Sequence, residues 1–399
     1  MILIISAVFL PEQVVSAHLT LDIANSLSQN ETVTVLTPYP TRPYGKRYKK
    51  HELSNNYSFN HVVLDKSYTS PKPSLFGRFL ESYSLGSYTK RYIENYHESI
   101  SVIYLNTWPL FAQKAVVEIA MKYNIPVVTH IQDIYPESLS YKIPIAASLL
   151  QKLFLPMDKK ILKNSSKVVT ISNRMRDYLI KTRNIPAKNV EVINNWQNDS
   201  TFFDQTYEKK EDNRFIFMYV GSINQSAGVD LLINAFGHAD LSDSKLIIAG
   251  SGSEKTKCIR IAKEYKNIEF MEVISSKVAE VQAQSDILLL PLKKGIAKTA
   301  LPSKLTAYML SAKPIIACID KDSEASEIIQ NNNCGYVLEP ENENQLRECM
   351  ERVFTGSNKD LLEKGKNSLN YAEENFTRKK NLLSITTVIL SIKKDTYNA

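Results

Sequence analysis

Three groups of residues in this 399-residue chain have the types and spacing of a chemical site. The first lies between Asp286 and Ala317. Lys293, Lys294 and Lys298 occupy a loop that contains Gly295, and Pro302, Ser303 and Lys304 follow it. The apolar run Ile287–Leu290, ended by Pro291, has the length of a buried parallel strand. Leu305, Tyr308, Met309 and Ala312 recur at helical spacing, and Pro314–Ala317 reads as the next strand. This is a βαβ unit whose loop lies at the carboxyl end of a strand, where open α/β sheets bind ligands. Pro302 suits the start of the helix, and Ser303 is expected to cap it. Unpaired N–H groups, a positive dipole end and nearby lysines together suit a diphosphate. An ordinary crossover with a solvated basic loop fits the same residues as well.

The second group follows the apolar run Val127–Thr129. His130, Asp133 and Glu137 fall within eight residues there. Polar groups at a strand's carboxyl end meet bound ligands. Taken alone, His130 reads as a hydrogen-bonded structural residue. The third group is a pair of glycine turns, each after an apolar run. Gly221-Ser222-Ile223-Asn224 follows Phe215–Val220, and Gly250-Ser251-Gly252 follows Leu246–Ala249.

Sheets must hold these groups, and the remaining sequence has the pattern for them. Met1–Phe9, a helix over 13–27 and Thr32–Leu36 open a Rossmann-like domain. No G-x-G-x-x-G occurs in it, which argues against a dinucleotide. From Thr37 to about Pro73 the chain makes a basic, Pro- and Tyr-rich excursion. Leu75, Phe76, Phe79, Leu80, Tyr83, Tyr88, Tyr92 and Ile93 predict a pair of amphipathic surface helices. They either pack inward or meet lipid headgroups. Strands are expected at Val102–Leu105, before Asn106–Pro109, and at Val168–Ile171 and Val190–Ile193. Asn195 follows the last of these, where an Asn turn is an alternative to a ligand contact. The polar, acidic stretch before Phe215 reads as a linker. Glu324–Ile329 is expected to be helical, as is Thr377–Leu390.

Composition narrows the class. A hydrophobic fraction of 43% and a charged fraction of 23% are those of a globular protein. No apolar run approaches the ~20 residues that span a bilayer. Met1–Leu10 is apolar but lacks a basic leader and a cleavage site, so it reads as a strand and not as a signal peptide. Cys258, Cys318, Cys334 and Cys349 match no metal spacing and are expected to be free thiols in a reducing cytosol. The net charge of +7 is concentrated at Arg42, Lys46, Arg47, Lys49 and Lys50, interleaved with Tyr44 and Tyr48. No nucleic-acid module accompanies that patch. It suits an anionic membrane surface, a lipid diphosphate or simply solvent.

Read together, SDILLLPL and PSKLTAYMLSAKPIIA resemble the nucleotide-sugar half of a GT-B glycosyltransferase of family 4. The branch they resemble builds bacterial O-antigen, capsule and colanic-type polysaccharides. His130-Ile-Gln132-Asp133-Ile-Tyr135-Pro136-Glu137 is similar to that branch's H-x-Q-D-x-W-P-E segment, with Tyr135 for Trp. The resemblance extends over nearly the whole chain. It implies that His130 lies beside the donor sugar, that Asp133 and Glu137 face a cleft, and that Glu12 and Asn195 stand on the acceptor side. It implies donor contacts from Gly221, Ser222, Asn224, Gly250, Gly252, Lys298, Pro302, Ser303 and Lys304, with Glu324 or Glu327 reaching ribose or sugar. Catalytic roles fall to His130, Lys304 and Asp133. Thr299 and Ala307 stand where the wider family has two glutamates. Ser222 and Ala227 stand where it has an Arg and a Lys, and Val14-Val15 where it has glycines.

The expectation is an α/β, GT-B protein of two Rossmann-like domains facing a central cleft. Residues 1–197 form the acceptor-binding domain, 198–213 the linker and 214–376 the nucleotide-sugar domain. Residues 377–399 form a helix that packs back toward the first domain. The expected activity is transfer of a sugar, with retention, from a nucleotide-sugar (UDP) to a glycan or a polyprenyl-diphosphate-linked acceptor. No metal, cofactor or nucleic acid is expected. The expected place is the cytoplasm, peripherally at the inner face of the plasma membrane. A sugar-nucleotide epimerase on the same fold and a non-catalytic sugar-nucleotide-binding partner remain as alternatives.

Overall fold

The computed structural model describes all residues except 43–47, 54–55, 72–73, 107–109, 143–146, 204–213, 299–300 and 395–399. The chain divides into two compact units, Met1–Asn194 with Lys379–Ala399, and Asn195–Arg378. Each is built on a parallel sheet, the arrangement that alternating strands and helices dictate.

The first unit has β1 (Ile2–Ser6), β2 (Val33–Pro38), β3 (Asn60–Leu64), β4 (Val102–Asn106), β5 (Val127–Ile131), β6 (Lys167–Thr170) and β7 (Val190–Val192). Their order in the sheet is β3-β2-β1-β4-β5-β6-β7. Strand order reverses between β1 and β4, whose carboxyl ends pair Ser6 with Asn106. Leu3, Ile5, Ile103, Leu105, Val127 and Ile131 share one core cluster with Val116 and Ile161 of the covering helices Leu110–Lys122 and Ala147–Asn164. β3 lies inside the excursion that reads as irregular from sequence. It pairs only with β2, at the sheet edge, and its side chains are half-buried or exposed, so its pattern is weak. The aromatic-rich stretch is one helix, Leu75–Tyr96, and not two, with Ser74 capping it through Gly77 N at 3.0 Å. It buries Leu85, Thr89 and Ile93 and leaves Phe76 and Tyr83 exposed.

The second unit has β8 (Phe215–Val220), β9 (Ser244–Ala249), β10 (Ile268–Met271), β11 (Ile287–Pro291), β12 (Ile315–Cys318) and β13 (Gly335–Leu338), in the order β10-β9-β8-β11-β12-β13. Alternate residues bury in opposite cores. Met218, Ile247, Leu288 and Ile315 join one cluster, and Phe217, Leu246, Leu289 and Ile316 the other. Burial on both faces is why these strands read as continuous apolar runs.

Of the segment read as a linker, Ser200–Phe203 forms a helical turn and 204–213 lie outside the described residues. In the helix Arg378–Ser391, Ile385 and Ile389 are buried. Just beyond it, within the first unit, Lys393 pairs with Glu31 at 2.6 Å and Lys394 N donates to Ser101 O at 3.0 Å. All four cysteines are free and buried. No helix among the described residues is long and apolar enough to cross a membrane.

Candidate active site

In the second unit the strand order reverses between β8 and β11, and the diphosphate candidates gather there. Pairing between the two strands covers only Ile287 with Phe217 and Leu288 with Met218. Val220, at the carboxyl end of β8, is met instead by a side chain from the helix Ser303–Leu310. The Tyr308 hydroxyl donates to Val220 O at 3.1 Å and accepts from Val220 N at 3.0 Å. One turn earlier on the same helix, the stem of Lys304 crosses Gly221. Gly221 has φ +150°, and a Cβ there would collide with Lys304 Cε. Gly250 has φ +148°, and a Cβ there would strike the Gly221 carbonyl. Ile223 N donates to Ser251 O at 2.8 Å and Glu254 N to Ile223 O at 3.0 Å. The two glycine turns, with Gly252 between them, are therefore one backbone surface beside Lys304.

The lysines of this region differ in how they are paired. Lys293 pairs with Glu341 at 3.1 Å and Lys298 with Asp322 at 2.7 Å. The buried Asp320 accepts from Gly295 N at 2.8 Å and shapes their loop. Two of the lysines expected near the diphosphate are thus balanced by carboxylates. Among the described residues no carboxylate or hydrogen-bond acceptor meets the ammonium of Lys304. It lies 5.5 Å from the centre of the Tyr219 ring, and burial holds its pKa below the usual lysine value. A desolvated cation without a counter-ion favours an anionic ligand.

The expected cap is also corrected. Pro302 takes the cap position, Ser303 is the first helical residue, and no side chain caps the first turn. Leu305 N donates back to Pro302 O at 2.9 Å, and the N–H groups of Ser303 and Lys304, at the helix start, suit an anion. Ser222 is exposed, and its hydroxyl accepts from Asn224 Nδ2 at 3.2 Å. Asn224 caps its own turn through Ser226 N at 3.0 Å. Glu324, half-buried, and Glu327, exposed, begin the helix Glu324–Asn331 behind the capping Ser323. Ala307 is buried, and Thr299 lies outside the described residues.

In the first unit β5 runs to Ile131, so His130 sits within the strand and not beyond it. It is 3% exposed, its Nδ1 lies 2.6 Å from Tyr104 Oη, and its Nε2 has no partner among the described residues. Burial pushes its pKa down to about 4. A histidine whose folded pKa lies below its unfolded value of about 6.5 stabilises the fold above that value and loses the effect as pH falls toward about 4. Relative to His130→Gln, the wild type should therefore lose stability between about pH 6.5 and pH 5. Urea unfolding of both proteins at several pH values checks this, and a constant difference between them would contradict it.

The remaining acidic candidates have structural duties. Glu12 is 2% exposed, and one of its oxygens accepts from both Thr41 N and Arg42 N at 2.7 Å. Burial raises its pKa against those bonds. It anchors the loop after β2 through those bonds. Glu137 does not offer a free carboxylate either. Both its oxygens bind Arg183, at 2.7 Å each, and it accepts from the Tyr178 hydroxyl at 2.7 Å. Burial opposes ionisation of Glu137, but these contacts outweigh it and leave the pKa below the usual range. Asp133 is exposed. The Oδ1 of Asn195 is buried without a partner among the described residues.

Two features were not read from sequence. Arg183, fully buried at the end of the helix Asn173–Arg183, also binds Asp158 at 2.6 Å and Tyr135 O at 2.9 Å. A polar chain also crosses the carboxyl ends of β1, β4 and β5. Ser16 donates to Gln132 (2.8 Å), Gln132 to Asn106 (3.0 Å), Asn106 to Thr20 (3.0 Å) and Thr20 to Ser6 (3.3 Å). Asn106 and Gln132, polar at or just past the ends of apolar strands, were the available signal.

Two family models match in succession, Glycosyltransferase Family 4 over residues 17–200 and Glycosyl transferases group 1 over residues 200–371. A Pseudomonas aeruginosa protein named as the glycosyltransferase WbjE is 23% identical, over 70% of this chain and 70% of its own. An Escherichia coli K12 protein named for colanic acid biosynthesis, the glycosyl transferase WcaI, is 24% identical over 79% of this chain and 82% of its own. Among solved structures, Anabaena HepE in complex with UDP has the same fold. It superposes with a TM-score of 0.70 at 16% identity, covering 98% of this chain and 99% of that one.

Proposed function

Since the chain belongs to the family 4, group 1 glycosyltransferases and has their GT-B fold of two Rossmann-like units, we propose that it transfers a sugar from a UDP-sugar, with retention, to a glycan or polyprenyl-diphosphate-linked acceptor of a bacterial surface polysaccharide. The observation that carries the donor reading is the part-buried ammonium of Lys304, without a counter-ion among the described residues, beside the Gly221 and Gly250 turns and a helix start whose cap residue is Pro302. Loss of the nucleoside diphosphate puts negative charge on the departing phosphate. A fixed cation and backbone N–H groups aimed at that charge stabilise it more as it develops. UDP is favoured by the complex of Anabaena HepE with UDP. A binding screen of UDP-, GDP- and dTDP-sugars tests the choice, and preference for either of the other two would replace it.

His130 is assigned to a hydroxyl of the transferred sugar. A neutral imidazole can hold a hydroxyl without opposing positive charge on the sugar ring. His130→Ala should depress kcat more than it weakens UDP binding, and His130→Gln should recover part of the loss. Steady-state kinetics with UDP titration checks this; lowered thermal stability with unchanged kcat would make the residue structural.

The polyprenyl-linked acceptor carries with it a peripheral membrane location. Phe76 and Tyr83, at 72% and 67% exposure, support it, as do Leu149 and Leu153 at 69% and 61%. The two helices that carry them meet through Phe79 and Phe154, with ring centres 5.7 Å apart. Phe76→Ser with Leu153→Ser should reduce co-sedimentation with anionic vesicles several-fold while leaving the melting temperature near that of wild type. Equal sedimentation would remove this part of the reading.

A further inference from the structure

Tyr104 of β4 and His130 of β5 share a side-chain hydrogen bond, and both are buried. In the sheet register Tyr104 lies opposite Val128, so its ring reaches forward by two residues to His130 on the same face. On that face the next pair, Asn106 and Gln132, repeats the reach at 3.0 Å. Tyr104 has a single partner, His130 Nδ1 at 2.6 Å, and the other imidazole nitrogen has none among the described residues.

Two proton placements fit this geometry, and they differ in what they leave unpaired. If Nδ1 carries the proton and donates to Tyr104, both the Tyr104 O–H and the lone pair of Nε2 are buried without partners. If Tyr104 donates to an unprotonated Nδ1, the Tyr104 O–H is satisfied and only the Nε2 proton is unpaired. Burying fewer unsatisfied groups decides for the second. Burial raises the Tyr104 hydroxyl pKa, which keeps it a donor.

We propose that Tyr104 is a positioning residue that fixes His130 as the Nε2–H tautomer, presenting a neutral donor to an acceptor oxygen of the substrate. The catalytic side of this proposal rests on the assignment of His130 to the sugar; the tautomer does not.

The full-length protein labelled with 15N-histidine, observed by long-range 1H–15N correlation, tests it. The signals of His130 are those missing from His130→Gln. The expected wild-type spectrum shows a protonated Nε2 and an unprotonated Nδ1, and Tyr104→Phe should shift the balance several-fold toward Nδ1–H. A protonated Nδ1 in the wild type overturns the proposal, and this needs no variant to fold. An unchanged balance in Tyr104→Phe overturns it too. With the tautomer as expected, Tyr104→Phe should lower kcat by about tenfold or more and leave UDP affinity within about threefold. If the tautomer is as expected but Tyr104→Phe and His130→Gln both turn over like wild type, the tautomer assignment stands and the role of His130 at the sugar falls.

Discussion

Replacing Lys304 by alanine is expected to lower kcat/KM for the nucleotide-sugar donor by about 10²-fold or more, with the fold intact. The side chain contributes little to the core beyond its stem, which crosses a glycine, and among the described residues its ammonium has no carboxylate to leave behind. Removing it therefore opens no buried, uncompensated charge within the protein. The loss should fall on the bound diphosphate, most of all in the transition state where the leaving phosphate gains charge. Arginine at this position should not restore the rate fully. Its longer, planar head must pass the same contact with Gly221 and stack differently on Tyr219. An alanine variant with wild-type kinetics would move the diphosphate site elsewhere.

The largest expected effect on stability comes from Arg183→Met. The guanidinium is fully buried and holds Glu137 with two bonds, Asp158 with one and the carbonyl of Tyr135 with another. Burial already raises the Asp158 pKa, to about 6, with the arginine holding it down. Without the arginine two carboxylates remain in a dry site. Breaking a buried pair from one side costs about 3–5 kcal/mol. Urea unfolding should show that loss in the midpoint. The triple variant Arg183→Met, Glu137→Gln, Asp158→Asn should recover part of it, because the neighbours are no longer charged. An additive result, or a loss below about 1 kcal/mol, would show that the cluster is not held by its arginine.

The sequence was most legible where burial is symmetric. β8, β11 and β12 are apolar on both faces, so their runs were unmistakable, and Gly221 after β8 and Pro291 at the end of β11 mark the ligand end. The edge strands β3 and β13 were not. β3 is half-buried with a polar start, and Gly335 opens β13, so neither has the run that signals a strand. Site residues divided in a similar way. Lys304 and Gly221 were found because a helix start and a glycine turn have local signatures. Their contact joins residues far apart in the chain, yet the βα topology dictates it. The pairings of Lys293, Lys298 and Glu137 were hidden because their partners, Glu341, Asp322 and Arg183, are 24 to 48 positions away. A carboxylate just past a strand has the same local sequence whether it faces substrate or a buried arginine. Glu12 and Glu137 proved to be held by the protein, and Lys304, of the residues expected to meet the donor phosphate, stayed without a counter-ion.

In the proposed function, Lys304, the glycine turns and the start of the Ser303–Leu310 helix hold the diphosphate of a nucleotide. Calorimetric titration with UDP and with uridine, on the wild type and on Lys304→Ala, measures that directly. The wild type should bind UDP at least about 10²-fold more tightly than uridine, a difference of about 3 kcal/mol. Most of that difference should vanish in the variant, and uridine affinity should be little changed. Equal affinities for UDP and uridine in the wild type, or an undiminished UDP preference in Lys304→Ala, would contradict it.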